Sequence, residues 1–265
     1  MTQLLHPELS YTVRGVLLHV YNSLGPMLKE EFYEQAIAIG LERRGIAVET
    51  EKAFEVYYAG ERVGLYRVDV WIENGKMLLE LKVAPAIGPL HDAQAISYLK
   101  VTNADLAVVV NFGGASLQDK RLPNFLRNKQ AEFVWQAQPG SDEWLYPELA
   151  QAILRVCHQV HFALGPGFLH QVYRRAAMIE LRRSGLNFEY KKRLPVEFEQ
   201  VVLGYQDARL ILIEDKVLLA VFALKDADES LAEQLKARMR RLDVKLGLLA
   251  NFHDTRLGVT PVRIG

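Results

Sequence analysis

The stretch VGLYRVDVWIENGKMLLELKV, residues 63–83, decides the fold. Val63 to Ile72 and Lys76 to Val83 are two β-rich runs that meet at Glu73-Asn74-Gly75-Lys76. Asn-Gly between such runs is the strongest short-range hairpin signal, because a type I′ turn needs positive φ at both central residues. With Asn74-Gly75 as a two-residue loop, Glu73 pairs with Lys76, Ile72 with Met77 and Asp69 with Glu80. Two carboxylates then face each other, which is destabilising. Such a pair persists where it is exposed or where a cation holds it. Glu80 and Lys82 are two apart and project from one sheet face, while Leu79, Leu81 and Val83 point the other way. Asp69, Glu80 and Lys82 therefore converge on one small patch.

The flanking sequence supplies the rest of a domain. Leu9, Val13, Val16, Leu17 and Val20 recur at helical spacing over residues 8–22. Gly25-Pro26 breaks that helix. Residues 27–44 read as a second helix with Gly45 as its C-cap. Residues 47–58 are β-rich, residues 89–101 read as a helix, and Leu106 to Phe112 is an apolar run that suits a buried strand. The order helix, helix, three strands, helix, strand predicts a mixed central sheet flanked by helices.

The pattern then recurs at a spacing of 140 positions. Pro7-Glu8-Leu9 returns as Pro147-Glu148-Leu149, Leu24-Gly25-Pro26 as Leu164-Gly165-Pro166, Tyr33 as Tyr173, and Asn111-Phe112 as Asn251-Phe252. No gap is needed between residues 7 and 118. A spacing this long is a domain duplication, since solenoid units run roughly 20–50 residues. The expected organisation is two tandem α/β domains, 1–125 and 147–265, joined by a turn-rich linker over 126–146. A duplication of this kind supplies an internal pseudo-dimer, so a monomeric chain is expected.

The clustered charges suit phosphate chemistry. Asp69 and Glu80 offer hard oxygen ligands to Mg²⁺ or Mn²⁺, and Mg²⁺ typically takes one or two carboxylates and completes its shell with water and phosphate. Lys82 would orient water or offer positive charge to a transition state. The same geometry also fits a cross-strand salt-bridge cluster in which Lys82 neutralises Glu80.

At these residues the chain resembles the PD-(D/E)XK nuclease-like superfamily, whose signature is Asp…Glu-x-Lys, and within it the GxxExxY family. The motifs that carry the resemblance are Leu24-Gly25-Pro26 with Glu30 and Tyr33, and Gly64-Leu65-Tyr66-Arg67-Val68-Asp69. Glu80-Leu81-Lys82, His91-Asp92-Ala93-Gln94, Tyr98-Leu99 and Asn111-Phe112-Gly113 complete them. The match covers nearly all of residues 8–121, and Met27 stands where the family motif has glycine. The resemblance implies two restriction-endonuclease-like domains and a metal-dependent nuclease acting on DNA or RNA. Asp69 and Glu80 would bind the metal, Lys82 would act beside it, Glu30 would add a carboxylate, and Gln94 and Tyr98 would flank the site from the third helix.

The second copy keeps the scaffold motif, as Leu164-Gly165-Pro166-Gly167-Phe168-Leu169. At the fixed spacing it carries Arg209 for Asp69, Ala220 for Glu80, Phe222 for Lys82, His170 for Glu30 and Arg238 for Tyr98, and only Gln234 repeats Gln94. It reads as a degenerate domain. Lys236, Arg238, Arg240 and Arg241 make its last helix basic and are candidate nucleic-acid contacts. The acidic residues Asp226, Asp228, Glu229 and Glu233 fit the alternative of a solvated helix face.

Bulk properties narrow the classes. Lys and Arg total 32, as do Asp and Glu, so nothing global draws the chain to a polyanion and any such site is local. That balance favours the alternative of a non-catalytic nucleic-acid-binding or protein-interaction module that keeps the fold. Cys157 is the single cysteine, which excludes an internal disulfide and a cysteine-based zinc cluster. No signal peptide or membrane-spanning run is visible, so a cytoplasmic protein without membrane contact is expected. A nucleophile elbow and a Gly-rich phosphate loop are both missing, which removes the motif basis for a small-molecule hydrolase.

Overall fold

The computed structural model describes residues 5–124, 132–138, 140, 144–225 and 229–265. Residues 126–131, 139 and 141–143 of the expected linker lie outside the described residues, as do Asp226 and Asp228. The chain divides into two compact units, one of Met1–Tyr57 with Gly64–Glu132 and one of Tyr58–Val63 with Phe133–Gly265. Among the described residues no helix is long and apolar enough to cross a membrane.

The first copy runs α1 (Pro7–Leu24), α2 (Glu30–Glu42), β1 (Val48–Tyr58), β2 (Glu61–Ile72), β3 (Met77–Lys82), α3 (Pro89–Thr102), β4 (Leu106–Asn111) and β5 (Gln118–Pro123). Its sheet order is β1-β2-β3-β4-β5, with β3 and β4 parallel and β4 and β5 antiparallel. The second copy repeats this as α4 (Pro147–Leu164), α5 (His170–Arg183), β6 (Phe188–Phe198), β7 (Val201–Ile213), β8 (Val217–Phe222), α6 (Glu229–Arg241), β9 (Leu246–Asn251) and β10 (Gly258–Arg263). Its order, β10-β9-β8-β7-β6, is the same path. Both copies are the expected α/β arrangement of a mixed sheet with helices. The strands after Asn111 and Asn251 are additions to the sequence reading.

Alternation along the strands sorts side chains to two faces. In the first unit Val70, Ile72, Met77, Leu79, Leu81, Val108 and Val110 meet Val13, Val16 and Leu17 of α1 and Tyr33, Ile37 and Leu41 of α2. Burying each such aliphatic chain contributes roughly 1.5–3 kcal/mol. This face is the core, and it leaves Asp69, Glu80 and Lys82 on the opposite side, toward α3.

One polar lock fixes the end of each sheet. Asn111 is fully buried; its Oδ1 accepts from the backbone N–H of Ala84 at 2.9 Å and of Gly113 at 3.0 Å. Its Nδ2 donates to the Ala84 carbonyl at 2.8 Å and to Gln118 Oε1 at 3.2 Å. A Cβ on Gly113 would come within 2.4 Å of the Ala84 backbone, so only glycine permits this approach. Tyr33 stacks on Phe112 at 4.0 Å, donates its hydroxyl to the Gly25 carbonyl at 2.8 Å and accepts from Leu28 N–H at 3.0 Å. The second copy repeats these bonds through Asn251 to Leu224 and His253, and through Tyr173 to Gly165, Phe168 and Phe252. The Gly, Tyr and Asn-Phe landmarks of the repeat are thus the parts of one device.

The start of α2 shows what the glycine of the motif is for. Met27 adopts φ 69°, and Gly167, its counterpart, φ 110°. The first copy therefore keeps the chain path and places an L-residue in left-handed backbone that glycine adopts without strain.

Two registers differ from the sequence count. In the first turn Asn74 (φ 52°) and Gly75 (φ 97°) have the positive φ of a type I′ turn, and Lys76 N–H bonds the Glu73 carbonyl at 3.2 Å. Glu73 is also left-handed at φ 48° and Lys76 is helical, so this pair is not extended and the ladder begins at Ile72 with Met77. The second turn is one residue shorter, with Ile213 paired to Val217. One extra residue in β7 offsets the missing one: the β6–β7 register shifts between Lys191 and Arg193, and Arg209 there has φ 55°. This is a β-bulge. It corrects the gapless repeat, because Ile211 pairs with Leu219 and the count therefore sets Leu210, not Arg209, opposite Ala220. Arg209 is exposed and bonds Asp207 at 2.9 Å, and Leu210 is buried.

Candidate active site

The β2–β3 ladder pairs Val70 with Leu79 and goes no further. Counting on one step sets Asp69 opposite Glu80. There the side chain of Asp69 takes over from the ladder, because its Oδ2 accepts the Leu81 backbone N–H at 2.7 Å. The carboxylate is held by the strand it faces, with Glu80 on one side of Leu81 and Lys82 on the other.

Glu80 is only 4% exposed, so the cluster is not an open sheet-face salt bridge. Lys82 Nζ donates to Glu80 Oε1 at 2.6 Å and Tyr66 Oη donates to Oε2 at 2.8 Å. Taking a carboxylate out of water costs several kcal/mol. These two donors offset part of that cost. Tyr66 is itself fixed by stacking on Tyr98 of α3, with ring centroids 3.8 Å apart. Gln94 lies one helical turn before Tyr98 on the same side of α3. Glu30 opens α2, is exposed, and acts electrostatically on Asp69, Glu80 and Lys82.

The electrostatics show a shortage of positive charge. Burial first, and then the charge of Glu80, push the Asp69 carboxyl up to about 8. Burial also raises Glu80, with Lys82 and Tyr66 pulling against it. For Lys82 burial works downward, but the carboxylates around it win and its ammonium is held above the usual range. One lysine serves two facing carboxylates, so at neutral pH Asp69 keeps a proton unless a further cation replaces it. Among the described residues no group of three or more His, Cys, Asp and Glu side chains is arranged to hold a metal. The donor set is the two carboxylates of Asp69 and Glu80, which fits an ion that keeps most of its waters.

Tyr66 was not among the residues expected at the site. Strict alternation puts it on the face opposite Asp69, three positions away, yet both reach Glu80-Leu81. The one available signal was its place inside the Gly64–Asp69 motif.

Among the described residues the corresponding face of the second unit has no such cluster. Leu210 and Leu218 pack with Leu235 and Met239 of α6, and Ala220 and Phe222 join them. The four basic residues of α6, candidate nucleic-acid contacts, are divided between two flanks of the helix. Leu235 and Met239 form the buried stripe of α6. Lys236 and Arg240 lie on one flank of it, and Arg238 and Arg241 on the other.

Comparison with known proteins follows the same division. No curated protein matches the chain. A solved structure described as "Crystal structure of SSO0001" is 16% identical and covers 44% of this chain and 77% of that one, at a TM-score of 0.25, too low to bear on the fold. The family model for the PD-(D/E)XK nuclease superfamily matches twice, over residues 7–122 and 147–262. With both copies matched, the chain belongs to the PD-(D/E)XK nuclease superfamily.

Proposed function

We propose that the first unit is a metal-dependent nuclease of the GxxExxY branch, hydrolysing phosphodiester bonds in DNA or RNA. The observation that carries this reading is Asp69 set against the buried Glu80, whose one cation is Lys82 at 2.6 Å, so that Asp69 ionises at neutral pH only when a further cation joins the pair. Asp69 and Glu80 would hold Mg²⁺ or Mn²⁺, with Glu30 completing the acidic rim. When bound, the ion supplies Lewis acidity, polarising a phosphoryl oxygen and neutralising charge that builds on the phosphate. Lys82 donates an N–H hydrogen bond and presents a fixed positive charge to a water or a phosphate oxygen. Tyr66 holds Glu80 in one orientation, Tyr98 holds Tyr66, and Gln94 offers an amide beside them. The second copy is then a degenerate domain that serves as scaffold or nucleic-acid clamp.

The test is incubation with single- and double-stranded DNA and RNA in Mg²⁺ or Mn²⁺, beside a Lys82→Ala variant. We expect cleavage to fall by at least about 100-fold, the size of effect typical for one transition-state charge partner. Cleavage that survives the substitution excludes this site. A non-catalytic binding module is the second reading, favoured by the apolar face of Leu210, Ala220 and Phe222. Salt-sensitive binding without cleavage under every metal condition would select it.

A further inference from the structure

We infer that a cationic groove on the second unit, away from its apolar Leu210 face, tracks the phosphate backbone of a nucleic acid. Lys236 and Arg240 of α6, Asp243 and Lys245 before β9, and Arg263 at the end of β10 line a groove of about 450 Å³. β10 is an edge strand of its sheet, and α6 packs beside it and β9, so the groove runs along an open border. Four cations line it with one carboxylate, Asp243; Glu233 on α6 adds a second acidic neighbour to Lys236 and Arg240, and Lys245 also donates to the Gly265 carbonyl at 3.3 Å.

The pairing of these charges leaves them available. Lys236 bonds Glu233 at 2.7 Å and Lys245 lies 3.8 Å from Asp243, surface pairs worth only about 0–1 kcal/mol each. Arg240 and Arg263 form no ion pair among the described residues. Their guanidinium groups offer the forked donors that match phosphate oxygens two at a time. No aromatic side chain lines the groove, so it offers no platform for stacked bases. Contacts to the backbone position a nucleic acid without reading its sequence.

The first unit lacks this feature at the same positions. Ile96, Lys100, Asn103, Asp105 and Pro123 stand there, one cation and one carboxylate, and Asp105 is bonded to His6 at 2.8 Å. The copy without the acidic cluster is the one that carries the groove. Nucleic acid as the ligand rests on the nuclease reading above, and the choice of residues does not.

The experiment is fluorescence anisotropy of labelled duplex DNA, single-stranded DNA and RNA of scrambled sequence across a salt series, using full-length protein. The variants are Lys236→Glu with Arg263→Glu, and Arg238→Glu with Arg241→Glu on the other flank of α6, each checked for folding by circular dichroism. We expect the groove pair to weaken binding about 10-fold or more at 0.1 M salt and to flatten the salt slope by about two phosphates, and the other pair to lose much less. Equal losses in both pairs, or none in the groove pair, overturn the groove. If groove variants bind normally while Lys82-dependent cleavage persists, the groove alone fails. If the wild-type chain binds no nucleic acid, or binds only heparin or acidic peptide, the groove assignment and the nucleic-acid part of the nuclease reading fail together.

Discussion

The α3 side of the first sheet and the α6 side of the second are built on the same strands in the same order, and their contents are opposite. One holds Asp69, Lys82 and Tyr66, partly buried, in a hydrogen-bonded cluster around the buried Glu80, and the other holds Leu210, Leu218, Ala220 and Phe222 against Leu235 and Met239. The core face and the Asn lock are common to both. A sheet pinned on one side by apolar packing and at one end by a single amide can carry either filling on its other side. The polar filling keeps a carboxylate away from its ordinary titration range, whereas the apolar one is conventional core.

Substitutions can break this comparison. The largest effect is expected at Leu210→Asp, which puts a carboxylate at the true counterpart of Asp69 without a lysine or a tyrosine to receive its partner. An unpaired buried charge of this kind should cost about 3–5 kcal/mol. Arg209→Asp, on the exposed bulge, should stay within about 1 kcal/mol. Urea denaturation of both variants checks this, and the reverse order would restore the gapless alignment.

An effect of comparable size is expected from pH. Asp69 has its folded value pushed up to about 8 from an ordinary 3.8. Its stabilising contribution is complete below 3.8 and is lost as pH rises through 8, because the folded protein holds the proton that the unfolded chain releases. Metal-free protein should therefore lose stability across that window, and Asp69→Asn should flatten the loss. Thermal melts between pH 4 and 9 measure it, and Mn²⁺ should raise the melting temperature most at the alkaline end.

The smallest effect sharpens the likeness of the two copies. Met27→Gly gives the first helix start the residue that Gly167 provides in the second, and Met27 is 68% exposed, so little packing is lost. Relief of the left-handed backbone should raise stability by about 1 kcal/mol. A destabilised variant would show that Met27 is held there by packing.

Much of this was legible in the sequence, for identifiable reasons. Asn74-Gly75 fixes the register of β2 against β3, because alternation allows no slip of one residue without turning the core face to solvent. The facing of Asp69 and Glu80 follows from that count. The bulge at Arg209 was hidden because an insertion in β7 and a deletion in the next turn cancel, leaving the repeat spacing intact on both sides. Tyr66 was hidden because alternation is a rule for regular strands, and the strand departs from it between Tyr66 and Asp69. The split of the α6 cations was legible in principle from helical spacing, yet a contiguous basic run draws attention to composition before geometry.

The Asn lock has a consequence for how the chain assembles. In one copy the Met27 N–H bonds the Phe112 carbonyl and Tyr33 ties the Gly25–Leu28 loop to Phe112, and in the other Tyr173 bonds the Gly165–Phe168 loop and stacks on Phe252, so each of these ties lies within one copy. Loop closure costs entropy that grows only slowly with length. Each copy can thus fasten its own ends as soon as its last strands are made, and during synthesis the N-terminal copy finishes first. The acidic cluster then closes on a ribosome still building the basic groove.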